Sequence, residues 1–116
     1  MDCTIEKFAG VTYAVAAGRL DFDSANDFQA KLVDAIADVA ASGGALVIDC
    51  TELAYVSSAG LRSFLVAART AKAKTVALAV CGLSAGVQDV FEMSGFHRII
   101  VIRPDRAAAL QELGVA

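Results

Sequence analysis

The residues with the most chemical meaning in this chain are two adjacent serines. The run Asp49-Cys50-Thr51-Glu52-Leu53-Ala54-Tyr55-Val56 delivers Ser57-Ser58-Ala59-Gly60 to the start of a helical pattern. A serine placed there has two uses. It can cap the helix by accepting a hydrogen bond from a first-turn N–H, worth about 1 kcal/mol. It can also offer its hydroxyl to a phosphoryl group. A phosphate on Ser58 would face the free N–H groups of the first turn and the positive end of the helix dipole, with Arg62 four residues further on. Spacing alone leaves both uses open.

Other chemistries find little support. The chain has one histidine, His97, beside Arg98, which reads as a surface residue, and it has no HExxH spacing. A nucleophilic serine would need a base and the turn of a GxSxG elbow; Ser58 has no candidate histidine base except His97, and no such elbow surrounds it. Cys3, Cys50 and Cys81 are odd in number and lack a CxxC spacing, so they read as buried or incidental thiols rather than a disulfide framework or a zinc site. No Walker or GxGxxG pattern is present to hold a nucleotide. Neither a metal nor a cofactor is expected.

The elements that must position the serines follow from hydrophobic periodicity. Alternating or apolar runs predict strands over 4–8, 11–17, 45–49, 75–81 and 99–102. Phe28, Leu32, Ala35, Ile36 and Val39 form one buried stripe of a helix over 24–41, with Ser24 as its N-cap and Ser42-Gly43-Gly44 at its end. Further helices are predicted over 59–73, 85–94 and, after Pro104, 105–113.

Only Ala9-Gly10 separates the first two strands, which suits an antiparallel hairpin. Strands then alternate with helices, which calls for parallel pairing and right-handed crossovers. The expectation is one α/β domain over 1–116, with a mixed, mostly parallel sheet of about five strands and about four helices. In such sheets ligands and partners meet the loops after the strands. Here those loops are 18–23, 49–60 and 82–84.

Composition narrows the setting. Mean hydropathy is +0.59, yet the longest uncharged run, between Lys74 and Asp89, is too short and too polar for a membrane span of about 20 residues. Alanine supplies much of the hydropathy, with 24 of 116 residues. The start of the chain lacks a secretory signal pattern, so a cytoplasmic location without membrane insertion is expected. Residues 1–60 carry nine acids against three bases, whereas 61–116 carry seven bases against four acids. The bases are scattered without interleaved aromatics, so no nucleic-acid partner is expected.

A resemblance sharpens this reading. Asp49-Cys50-Thr51 followed by Tyr55-Val56-Ser57-Ser58-Ala59-Gly60-Leu61-Arg62 resembles the signature of the STAS domain of bacterial anti-sigma factor antagonists. Gly18-Arg19-Leu20-Asp21 resembles the family's Gly-x-Leu-Asp, and Met93-Ser94-Gly95-Phe96 its motif before the last strand. The resemblance implies no enzyme but a partner switch of transcription. Unphosphorylated, it would bind an anti-sigma factor that is also a serine kinase and so release a sigma factor. Phosphorylation would inactivate it, and a serine phosphatase would restore it.

The implied phosphoacceptor is Ser58, with Ser57, standing where the family often has Asp, as second choice. Asp21, Asp23, Asp49, Ser57, Ala59, Gly60 and Arg62 are implied partner-binding residues, the acids lying beside the serine. A monomer or weak dimer is expected. The alternative implied by the same fold is a docking subunit of a lipid-trafficking ABC complex without a phosphorylation cycle.

Overall fold

The computed structural model describes residues 1–115. Strands β1 (Asp2–Phe8) and β2 (Val11–Leu20) form the antiparallel hairpin. Helix α1 (Phe22–Ser42), strand β3 (Ala45–Val56), helix α2 (Ser58–Ala73), strand β4 (Ala77–Cys81), helix α3 (Ala85–Met93), strand β5 (Val101–Arg103) and helix α4 (Arg106–Leu113) follow. A short 3-10 turn at Phe96–Arg98 leads into β5. The sheet order is β1-β2-β3-β4-β5, and every pair after the hairpin is parallel. Parallel pairing puts the carboxyl ends of β2 to β5 on one rim, where the loops entering the helices gather.

Helices α1, α2 and α3 cover one face of the sheet. Their apolar stripes meet Leu20, Leu46, Ile48, Cys50, Leu53 and Val56 in the main core. Phe64 of α2 lies at its centre, with ring centroids 5.3 Å from Phe28 of α1 and 5.0 Å from Phe91 of α3. One residue therefore joins all three helices. Helix α4 alone covers the other face, closing a smaller core of Val11, Tyr13, Val47, Ala79, Cys81 and Ala109. Covering both faces explains why the central strands read as unbroken apolar runs.

Three expectations change in detail. The N-cap of α1 is Asp21, not Ser24. Ser24 sits three residues on and completes a reciprocal capping box, its hydroxyl accepting from the Asp21 N–H while the Asp21 carboxylate accepts from the Ser24 N–H. Strand β3 does not stop at Asp49 but runs to Val56, because its second half pairs with the end of β2 from Ala17 to Leu20. Register shifts between Val15 and Ala17 and between Gly18 and Arg19 break the alternation there, so Leu53 and Val56, three apart, both point into the core. Finally, β4 and β5 each start two residues late, β4 because Thr75 turns the chain with φ of 56° after α2 and β5 because Ile99 closes the 3-10 turn. The expected glycine terminus of α1 is present, with φ of 84° at Gly43 and 102° at Gly44.

Phe64→Ala would remove the shared ring of the helical layer. It is expected to lower stability by about 3–5 kcal/mol, measured as a fall in the urea midpoint with little change in slope.

Candidate functional site

Helix α2 begins where β3 ends, and its first turn is clamped to the end of β2. The Ser57 N–H donates to the Leu20 carbonyl at 2.8 Å. Gly60 is buried against the same residue, and a β-carbon there would lie 2.6 Å from Leu20 Cγ and 3.0 Å from its carbonyl oxygen. One turn on, the buried Ser63 hydroxyl donates to the Ala25 carbonyl at 3.0 Å, tying α2 to α1. The two helix N-termini thus stand side by side at the carboxyl rim of the sheet.

Of the two roles that the sequence left open, the cap falls to one serine. Ser57 is the cap: its hydroxyl accepts from the Gly60 N–H at 3.1 Å. Ser58 is the first helical residue and is exposed, so the cap does not need its hydroxyl. Ser58, Ala59 and Arg62 line a hollow of about 500 Å³ with Phe22, Asn26 and Gln29 of α1. Phe22 is 80% exposed, an aromatic ring held at the rim with no core partner.

The expected acids are not all here. Asp21 lies at the α1 terminus with its carboxylate engaged by Ser24, whose hydroxyl and N–H hold it below the usual carboxylate range. Asp23 is exposed in the first turn of α1. Asp49, expected beside the serine, is instead on the opposite face of the sheet. Its neighbours Ile48 and Cys50 point into the core under α1 and α2, so Asp49 points towards α4.

There Asp49 accepts from the Thr51 hydroxyl at 2.6 Å, the Thr51 N–H at 3.0 Å and Arg106 Nε at 2.7 Å. Arg106 in turn stacks 4.2 Å over the Tyr13 ring and reaches Glu6 at 3.5 Å. Burial pushes the Asp49 carboxyl up, but the bonds from Thr51 and the Arg106 guanidinium outweigh it and hold the group below its ordinary value. Asp49 therefore pins α4 to the sheet. Cys81, close by, is pushed up to about 12 by burial and by the Asp49 carboxylate, and burial raises Cys50 well above the thiol range. Both thiols stay protonated near neutral pH, in keeping with their reading as buried thiols.

Reasoning from sequence missed Phe22, Asn26, Gln29 and Ser63. Asn26 and Gln29 show no motif, being polar residues on an amphipathic helix. Phe22 carried a signal, as an aromatic residue between two aspartates that belongs to no apolar stripe. Among the described residues no group of three or more His, Cys, Asp or Glu could hold a metal ion, and no helix is long and apolar enough to cross a membrane.

Residues 4–109 match the STAS domain family. The chain belongs to that family. A Bordetella bronchiseptica protein that carries the name of an anti-sigma factor antagonist, BtrV, is 34% identical to this STAS domain over 109 residues, spanning 94% of this chain and 91% of the relative. Among solved structures, a Thermotoga maritima protein described as an anti-sigma factor antagonist superposes with a TM-score of 0.84 at 14% identity, covering 97% of this chain and 94% of that one.

The anti-sigma factor antagonist SpoIIAA in its unphosphorylated form gives 0.76 at 19% identity over 99% of both chains. In its phosphorylated form, from Bacillus, it gives 0.67 at 17% identity over 97% of this chain and 99% of that one. At these identities the solved structures establish the common fold. The sheet of five strands and four helices is thus the architecture expected from the resemblance.

Two substitutions test this geometry. Gly60→Ala must displace Leu20 or lift the first turn of α2, and it is expected to cost about 1–3 kcal/mol in urea unfolding. For Asp49 the folded carboxyl titrates below its unfolded value of about 3.9, so its stabilisation is complete above about pH 4 and is lost as pH falls through the depressed value. Asp49→Asn is expected to lower stability at neutral pH by about 1–3 kcal/mol. It should also flatten the acid limb of a series of urea midpoints taken against pH, leaving a residual slope from Asp21.

Proposed function

We propose that this STAS domain is a cytoplasmic anti-sigma factor antagonist working as a phosphorylation-controlled partner switch, with Ser58 as the phosphoacceptor. The observation that carries the reading is the division of labour at the α2 start. Ser57 makes the cap, and the exposed Ser58 hydroxyl stands in a hollow beside an exposed aromatic ring. The name carried by the Bordetella relative points the same way.

In the unphosphorylated state the partner is a serine-kinase anti-sigma factor, and its sequestration releases a sigma factor. Phe22, Ala59 and Arg62 supply the contact surface around the serine, since an aromatic residue at the centre of a contact commonly dominates its energy. Ser57 and Gly60 act from behind, as cap and as the close-packed residue that sets the height of the helix. Asp21 and Asp23 belong to the α1 terminus beside this surface. Asp49, on the far face, has no part in it.

The kinase moves the γ-phosphoryl group of ATP to Ser58 Oγ, releasing ADP and a proton, and a serine phosphatase hydrolyses the ester with water, restoring the hydroxyl and releasing inorganic phosphate. A phosphate on Ser58 lies over the α2 first turn, where the Ala59 N–H has no intrahelical partner and the dipole favours a negative charge by about 0.3–1 kcal/mol. The added charge of about −1.5 to −2 is therefore tolerated by the fold. Across an interface the sign reverses, because like charges brought together cost several kcal/mol.

The test is mass spectrometry of the protein incubated with its kinase and ATP. Wild type is expected to gain one phosphate and Ser58→Ala none. Ser57→Ala should still be modified while unfolding about 1 kcal/mol more easily for want of its cap. A Ser58→Ala protein modified to the wild-type extent would overturn the assignment.

A further inference from the structure

Away from the Ser58 hollow, the molecule separates charge. At the far end of α2, two adjoining hollows of about 260 and 370 Å³ share Ala68, Lys72 and Ile99. Their floor is apolar, formed by Ala71, Val76, Leu78 and Ile100. Arg69, Lys72 and Arg98 stand around it, and no carboxylate lines either hollow. Ile99 rises between them, 57% exposed. Lys72 near the α2 C-terminus has a local reason, since a cation there complements the helix dipole. Arg98 comes from the 3-10 turn and also borders a further hollow that carries Glu92.

The complement is on α1. Asp27, Ala30, Asp34, Ala37, Asp38 and Ala41 are all exposed and, at 3.6 residues per turn, fall within about 100° of arc. This face has carboxylates set among side chains too small to keep a neighbour away. The three ion pairs among the described residues engage Arg103 and Arg106 with Glu112, Glu6 and Asp49, so none of them uses Asp27, Asp34, Asp38, Arg69, Lys72 or Arg98. Lys31, at the edge of the α1 face, turns its amine to the Cys3 carbonyl at 2.9 Å.

We propose that these two surfaces fit one another between copies. The Ile99 knob of one copy packs on the alanines of α1 of the next, with Arg69, Lys72 and Arg98 against Asp27, Asp34 and Asp38. Because the two patches differ, the contact is head-to-tail, and a joined pair keeps one free patch of each kind, one on each copy. Assembly then grows with concentration instead of stopping at a dimer. Its attraction is carried by exposed charges, so salt weakens it. The Ser58 hollow lies outside both patches, so the contact is independent of the switch proposed above.

Sedimentation equilibrium on the full chain tests this. At about 10 mM salt, where charges act over about 30 Å, the average mass is expected to climb with concentration past twice that of the 12.0 kDa monomer. At about 1 M salt, where the range is about 3 Å, it should return to the monomer. The charge-reversed triple variant R69E/K72E/R98E and its counterpart D27K/D34K/D38K should each stay monomeric at low salt. Mixing the two should restore assembly, which also shows that both are folded. A wild-type protein monomeric at every concentration at low salt would overturn the proposal. So would a dimer that grows no further, assembly that persists in either variant alone, or a mixture of the two that stays monomeric.

Discussion

A β-carbon at position 60 would stand 2.6 Å from Leu20 Cγ, so α2 can reach the end of β2 only because residue 60 is glycine. That approach sets the rest of the site. It lets the Ser57 N–H bond the Leu20 carbonyl and brings Ser63 within 3.0 Å of the Ala25 carbonyl. The start of α2 is thereby fixed against both β2 and α1. With Ser57 engaged as the cap, the next hydroxyl along the chain is carried outward on a rigid turn. The aromatic contact of Phe64 with Phe28 and Phe91 holds the helices below that point, so the serine is presented by a packed layer and not by a loop.

A rigid platform suits a signal that is read by another molecule. The first turn of α2 contains no acidic residue, and its dipole welcomes a negative group. The phosphate proposed for Ser58 would therefore leave the fold intact while changing the surface. The charge that matters is local. Asp21 is occupied by its capping box, and Asp23 is the exposed acid of the neighbouring helix start. Asp49 serves a separate end, holding α4 through Arg106 on the far side of the sheet. Among the acids of the first half of the chain, Asp21 thus serves as a cap, Asp27, Asp34 and Asp38 form an outer helical stripe, and Asp49 is a buried pin.

Much of this was legible in the residues. The α1 stripe, the hairpin at Ala9-Gly10 and the helix after Pro104 followed from periodicity and turn chemistry, and the serine pair marked the start of α2. What was not legible depended on pairing across the sheet. The second half of β3 looks polar because Thr51, Glu52 and Tyr55 are exposed, and only its ladder with β2 keeps it extended. The side of the sheet that Asp49 faces is a matter of register, which sequence spacing alone could not place against Ser58. Capping by Asp21 rather than Ser24 escaped notice because both residues take part in one reciprocal box. The hollow around Ser58 needed the α1–α2 contact, which no motif announces.

The central claim is that a phosphate on Ser58 acts between molecules and not within this one. Its most direct test is a calorimetric titration of the cognate anti-sigma kinase with this protein before and after stoichiometric phosphorylation. A loss of at least about tenfold in affinity, equivalent to about 1.4 kcal/mol, is expected. Equal affinities for the two forms would contradict the account.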